Sequence, residues 1–138
     1  MDAPDYSASL REFSGGYRGQ RERVILRVAD VFDFYARLYA NPEVIGDSRR
    51  LVAAVLAYFV VPEDVLPEEV LGPWGMLDDL YVAAHVYRTI RKDVGERCLD
   101  DAWVCDDDLA TVMKEIYGQS RAALGKQRKE VLRMAGLG

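Results

Sequence analysis

The longest apolar run in the sequence is the feature that most restricts the fold. Eleven consecutive residues, 51–61, are apolar, and Pro62 and two acidic residues follow at once. As an α-helix this run would be about 16 Å long, against about 30 Å of bilayer hydrocarbon, so it cannot cross a membrane alone. Because a helix that is apolar nearly all round is covered on several sides, we predict a central helix over 48–60, with a buried strand as the weaker alternative.

Helical spacing also dominates the rest of the chain. Apolar side chains recur every three or four residues over 20–40, over 77–93 and after Asp108, with polar side chains on the other faces. No segment shows the alternation that is typical of a strand. The sequence therefore predicts an all-α fold, a single small bundle of about five helices around the apolar helix 48–60.

The length of 138 residues fits one domain. Residues 1–18, punctuated by glycines, are predicted to form a flexible N-terminal leader, and 19–138 to form the helical domain. Within that domain, 119–138 is predicted to be a basic C-terminal helix. It carries 5 bases and 1 acid, whereas 62–108 carries 13 acids and 4 bases. Such asymmetry can guide association with a partner.

Whole-chain charge and the cysteines restrict function further. The net charge of −5 argues against a nucleic-acid binder that works through overall charge. Cys98 and Cys105 have a spacing that matches no zinc motif, and His85 is the only histidine. Free thiols and an acidic, polar N-terminus, the opposite of a secretory signal, predict a cytoplasmic protein.

The segment 51–92 resembles the YkvA-like domain of unknown function, a family of small helical bacterial domains. An apolar helix is followed by a proline-flanked acidic turn, a glycine-containing loop and a Leu-Asp-Asp helix start. The matching residues are Pro62, Asp64, Pro67 and Glu68 in the turn and Gly75, Leu77, Asp78 and Asp79 in the loop and helix start. Val61 stands where the family usually has Ser, and Glu68 replaces Asp. The resemblance implies a small helical module, often beside membrane segments, and no established reaction.

The acidic residues that border the proline-rich connection are the first candidate site. We predict a structural role in the turn and the helix cap for Asp64, Pro67, Asp78 and Asp79, because carboxylates accept turn N–H bonds and favour helix N-termini. The alternative is a divalent-metal-dependent hydrolase. Its candidate metal ligands are Asp64, Glu68, Asp78, Asp79 and His85, which would bind Mg²⁺ or Ca²⁺ and activate water.

No catalytic residue is predicted. His85 lies two turns after Asp78 on one helix face, so the pair could transfer protons. A single histidine between Ala84 and Val86 is more often a packed side chain, however, and the chain is poor in nucleophiles. We therefore expect no cofactor and no enzymatic activity, with a divalent cation as the alternative.

The basic C-terminal helix and the eight tyrosines supply candidate partner-binding surfaces. The candidate binding residues in this helix are Arg121, Lys126, Arg128, Lys129 and Arg133. We expect a helical interaction or scaffold module that binds a protein partner, near the inner membrane or in a larger assembly. Binding of anionic lipid or nucleic acid by this helix is the alternative, and nucleic acid is the less expected ligand.

Overall fold

The computed structural model describes residues 3–16, 21–60 and 76–137, with side chains from Tyr6 onward. Within these ranges every regular element is helical, which confirms the predicted all-α class. The α-helices are α1 (Ala3–Gly15), α2 (Glu22–Ile25), α3 (Val28–Ala40), α4 (Gly46–Val60), α5 (Leu77–Val94), α6 (Glu96–Ala102), α7 (Leu109–Leu124) and α8 (Arg128–Met134), and a 3₁₀ turn (Gly125–Gln127) precedes α8.

The long helices pack in chain order. In the described part of the chain, five helices have 13 or more residues, namely α1, α3, α4, α5 and α7. Helix α1 packs on α3, α3 on α4, α4 on α5, and α5 on α7. The predicted number of about five helices corresponds to these, and the short helices α2, α6 and α8 complete the bundle.

Among the described residues, α5 has more helix neighbours than α4, the helix that corresponds to the predicted central helix 48–60. Helix α5 contacts α3, α4, α6, α7 and α8, and 11 of its 18 residues are buried. Helix α4 buries Val52, Val55 and Phe59, but Ala57 is exposed and Val60 is 56% exposed. An apolar composition shows only that a helix could be buried on all sides. How much of it is buried depends on how many other helices pack on it, and among the described residues more helices pack on α5 than on α4.

The N-terminal segment differs from the predicted flexible leader, since residues 3–15 form α1. Leu10 is buried, the Tyr6 ring packs 4.9 Å from the Phe32 ring, and the Tyr6 hydroxyl donates to the Phe59 carbonyl. Two surface ion pairs join Arg11 to α3. The face of α1 that packs on α3 has few apolar residues and includes small serines. The apolar spacing that is typical of a helix is therefore weak in this part of the sequence.

Several helix boundaries also differ from those predicted. The helix expected over 20–40 is divided between α2 and α3, and Arg21, with a φ of 60°, precedes α2. The basic helix expected over 119–138 comprises the end of α7, the 3₁₀ turn and α8. The positive φ of Gly125, 54°, lies at this junction, where residues with a Cβ are disfavoured. Asp108 caps α7, since its carboxylate accepts from the Thr111 N–H at 3.0 Å.

Candidate functional site

The predicted acidic residues of α5 are buried in its first turn. Asp78 and Asp79 have no exposed surface. Asp78 Oδ2 accepts from the Tyr58 hydroxyl at 3.1 Å, and Asp78 Oδ1 accepts from the Asp79 N–H at 3.0 Å. Asp78 therefore joins the C-terminal part of α4 to the start of α5.

The remaining members of the predicted acidic site, Asp64, Pro67 and Glu68, lie outside the described residues. Among residues 3–16, 21–60 and 76–137, no three His, Cys, Asp or Glu side chains are grouped so that they could hold a metal ion.

His85 lies beside tyrosine and arginine side chains on α5. Its ring is half-buried, with its centroid 6.3 Å from that of Tyr81. Burial lowers the pKa of His85, and the nearby Arg88 guanidinium lowers it further. Both effects favour the neutral imidazole.

The two cysteines are free thiols. The Asn41 side-chain amide donates to Cys98 Sγ at 3.2 Å. Burial is the main cause that raises the pKa of Cys98 and of Cys105, and nearby carboxylates raise both values further. Since the thiolate is the reactive form, both residues are weak nucleophiles near neutral pH.

A groove between α5 and α7 has a different character, because it combines cations with aromatic rings. Its volume is about 440 Å³. The lining residues, which together define the α5–α7 groove, are Tyr87, Arg88, Arg91, Ala110, Thr111, Met113, Lys114 and Tyr117. Met113 is buried and provides an apolar floor, while Arg88, Arg91 and Lys114 are exposed at the rim.

The arginines of the groove lie over tyrosine rings. Arg88 Cζ is 4.2 Å from the centroid of the Tyr117 ring, and Arg91 Cζ is 5.5 Å from that of Tyr87. The Tyr117 ring also stacks on Tyr81, with the two centroids 5.7 Å apart. Cation–π contacts of this kind hold the guanidinium groups in place without neutralising their charge.

The cations at the rim of this groove have no carboxylate partner among the described side chains. In the part of the chain with described side chains, no carboxylate forms an ion pair with Arg88, Arg91 or Lys114. The acids Glu96, Asp100 and Asp108 act on Tyr87, whose pKa is raised mainly by burial and also by these carboxylates. Negative charge is therefore present at the Tyr87 end of the groove.

The opposite end of the groove continues toward the basic C-terminal residues. Burial and then Tyr117 raise the pKa of Tyr81, and the positive charges of Arg128 and Arg121 act in the opposite direction. Arg121 lies one turn after Tyr117 on α7, and α8, which begins at Arg128, packs on α5. We call Arg88, Arg91, Lys114, Arg121 and Arg128 the cationic track.

The other predicted binding residues of the C-terminal region lie outside this track. Lys126 and Lys129 are exposed. Arg133 is engaged within α8, where its Nε donates to Glu130 at 2.9 Å. None of the five predicted partner-binding cations is among the lining residues of the groove.

Sequence reasoning missed the three rim cations of the groove, Arg88, Arg91 and Lys114. A signal was present in the spacing. Residues 81, 85 and 88 share one face of α5, and residues 114, 117 and 121 share one face of α7. Both faces alternate tyrosines or histidine with cations, but only the packing of α5 on α7 shows that they form one surface.

The bundle and its groove define a small all-α domain, and comparison with known proteins gives its family. The chain belongs to the DUF1232 family, described as proteins of unknown function, whose profile matches residues 48–84. This match confirms the resemblance to the YkvA-like domain.

A curated archaeal relative matches over most of the chain. "Uncharacterized protein ORF9" of Methanothermobacter thermautotrophicus is 30% identical over 121 residues, which cover 88% of this chain and 83% of the relative. No solved structure matches the chain significantly. None of the described helices is long and apolar enough to cross a membrane.

Proposed function

We propose that this protein is a non-enzymatic helical interaction module that binds a protein partner in the α5–α7 groove. The observation that carries the proposal is the pair of rim arginines, Arg88 and Arg91, which lie over tyrosine rings and form no ion pair with a carboxylate among the described side chains. Tyrosine and arginine are the residue types that contribute most to binding energy at protein interfaces.

The size and the floor of the groove support this proposal. Its volume of about 440 Å³ lies in the range of sites that enclose a ligand. Ala110, which is exposed, and the buried Met113 are apolar residues of its lining. A side chain of the partner that enters there would remove apolar area from water while the rim cations fix its orientation.

The lining residues favour binding over catalysis. The groove has one hydroxyl group outside the tyrosines, that of Thr111, and this hydroxyl donates to the Asp108 carboxylate at 2.8 Å. Neither a histidine nor a cysteine lines the groove. A nucleophile with an adjacent base, which covalent catalysis needs, is therefore lacking from its lining.

Site-specific photo-crosslinking in native cells tests the proposal. A photoreactive amino acid at Ala110, which is exposed in the groove, is expected to capture a defined protein, while the same group at the exposed Ala57 of α4 is the control. The captured protein is then purified, and its affinity for the wild-type chain and for Arg88→Gln is measured by calorimetry. Capture from position 57 alone, or equal affinity for both chains, would contradict the proposal.

A further inference from the structure

We infer that the α5–α7 groove and the cationic track bind an acidic peptide segment of the partner, in which carboxylates flank one apolar side chain. This inference rests on the proposed function and adds the chemistry of the ligand. It is carried by charge complementarity along the track and by the apolar residues that line the groove.

The track concentrates positive charge on a molecule whose net charge is −5. Its five cations are described, and none of them forms an ion pair with a carboxylate in the described ranges. Elsewhere Arg11, Arg27 and Arg133 do pair with acids. The unpaired cations can therefore gain carboxylate partners from a ligand without breaking existing ion pairs.

Helix geometry sets the length of the segment. From Ala110 in the groove to Arg121 near α8, α7 rises about 16 Å. An extended peptide advances about 3.3 Å per residue, so about five residues cover this distance. Acidic residues of the ligand would then reach Arg88 and Lys114 in the groove and Arg121 and Arg128 beyond it, since Glu96, Asp100 and Asp108 place negative charge at the Tyr87 end.

The floor explains why the segment should hold an apolar residue. Ala110 is exposed in the groove, and Met113 and two tyrosine rings also line it. A Leu or Met side chain of the ligand placed there would bury apolar surface of the groove, which carboxylates of the ligand would leave in contact with water. An uninterrupted acidic run would leave this surface without a partner.

Nucleic acid fits the track less well than an acidic peptide. A base would need an open aromatic face on which to stack, but the Tyr117 ring already has Arg88 on one side and stacks with Tyr81. The net charge of −5 also opposes the approach of a long polyanion.

An anionic lipid surface also fits less well, because the track lacks apolar side chains that could insert. The exposed large apolar side chains of the described residues are Phe13, Tyr39, Ile45, Val60, Val104 and Met134. Five of them lie outside α5, α7 and α8, and only Met134, the last residue of α8, shares a helix with the track, whereas interfacial binding combines basic residues with an exposed apolar face.

Fluorescence anisotropy with a synthetic probe tests the inference on the full chain. The probe is a labelled ten-residue peptide with glutamates on both sides of a central leucine. Because Arg88 is a track cation, Arg88→Gln is expected to raise the Kd for this peptide about tenfold, the scale of one lost charged contact. Raising the salt concentration is expected to weaken binding as well.

Arg49→Gln is the matched control. Arg49 Cζ lies 4.1 Å from the Tyr39 ring, so this variant loses the same charge and the same kind of cation–π contact away from the groove. The control is expected to change the Kd less than about twofold, within the range of substitutions away from an interface. Thermal melts of both variants show whether each remains folded.

Several outcomes would overturn the inference. These are equal binding of a peptide with glutamines in place of the glutamates, equal weakening by Arg88→Gln and Arg49→Gln, and absence of saturable binding. Tighter, Arg88-dependent binding of a single-stranded oligonucleotide or of phosphatidylserine vesicles would assign the track to those ligands instead. If the partner crosslinked at position 110 carries no acidic segment there, the inference fails while the proposed function stands.

Discussion

Single polar side chains join the helices of this bundle at buried positions. The Tyr35 hydroxyl of α3 donates to the Ala83 carbonyl of α5 at 2.5 Å, and the Tyr58 hydroxyl of α4 donates to Asp78 at 3.1 Å. Burial raises the pKa of Tyr35 well above its usual value, so the hydroxyl remains a donor. Because buried polar groups need partners, these contacts fix how α3 and α4 sit on α5.

Replacing Tyr35 by Phe removes one such contact and leaves the ring in place. We expect Tyr35→Phe to lower the free energy of unfolding by about 0.5–1.5 kcal/mol, the usual contribution of one hydrogen bond. Urea denaturation measures the change. Tyr39→Phe, at a side chain that is 43% exposed, is the control and should differ from the wild type by less than about 0.5 kcal/mol. Equal losses in the two variants would refute the role of the Tyr35 hydroxyl.

His85 predicts a specific pH dependence of stability. Burial and Arg88 lower its pKa in the folded chain, so as pH falls the unfolded chain takes up the proton first. Protonation then favours the unfolded state, and stability falls as pH drops from the ordinary histidine value of about 6.5 toward the lowered folded value.

Denaturation at several pH values between 5 and 8 measures this effect. Since His85 is the only histidine of the chain, His85→Gln should remove the histidine part of the slope in this range. An unchanged slope in His85→Gln would show that other groups cause it.

The sequence predicted where some charged residues lie within their helices. Asp78 and Asp79 were expected at a helix start, and they lie in the first turn of α5, because acids near a helix N-terminus carry a local signal. The groove residues Arg88 and Lys114 carry no comparable signal. Arg88 and Lys114 come together only because α5 packs on α7. The two residues are about 26 positions apart in sequence, and neither helix alone indicates that they will meet.

At the scale of helices, local signals predicted where helices lie better than how they are covered. Asp108 marks the start of α7, and the apolar spacing from Leu77 marks α5. The apolar run of α4 suggested a central helix, but among the described residues α5 contacts more helices than α4 and a larger share of it is buried. Periodicity reports an apolar face, whereas coverage is a property of the assembled bundle.

Alanine substitutions compare α5 and α4 directly. Leu80 of α5 is fully buried, whereas Leu56 of α4 is half-buried. Leu80→Ala is expected to cost about 2–5 kcal/mol, the range for cavities in well-packed cores. Leu56→Ala should cost less than about 2 kcal/mol, because part of its side chain is already in water. Chemical denaturation of both variants gives the comparison, and a larger loss for Leu56→Ala would favour α4 as the central helix.

The cap of α7 gives a second prediction about helices. Asp108→Ala removes the acceptor of the Thr111 N–H and hydroxyl, so the melting temperature should fall. Asp106→Ala, two residues earlier and exposed, is the control and should melt close to the wild type. Asp108→Asn, which keeps a capping oxygen, should recover most of the loss. Similar melting temperatures for Asp108→Ala and the wild type would argue against the cap.

In the molecule as a whole, the local charge of one surface is opposite in sign to the net charge. The chain is acidic overall, with a net charge of −5, yet its cationic track lies on α5 and its neighbours α7 and α8. Such a distribution favours one partner orientation over others, because complementary fields act before contact is made. Net charge, which the sequence gives directly, could not show this.

Divalent cations provide a test at the same scale. If the protein acts by binding a partner and not as a metal-dependent hydrolase, millimolar Mg²⁺, Mn²⁺ or Ca²⁺ should leave the melting temperature unchanged. A ligand that binds only the folded chain raises its stability by mass action, so calorimetric melts detect such a site wherever it lies in the chain. A saturable rise with one of these ions, abolished in Asp78→Asn, would favour the hydrolase.

The packing of each long helix on the next one along the chain has a kinetic consequence. Most of the bundle can assemble from pairs that are close in sequence, so little chain entropy is lost before each contact forms. Helical domains with such topology refold in microseconds to milliseconds. Refolding of this domain from urea should therefore be largely complete within the dead time of manual mixing.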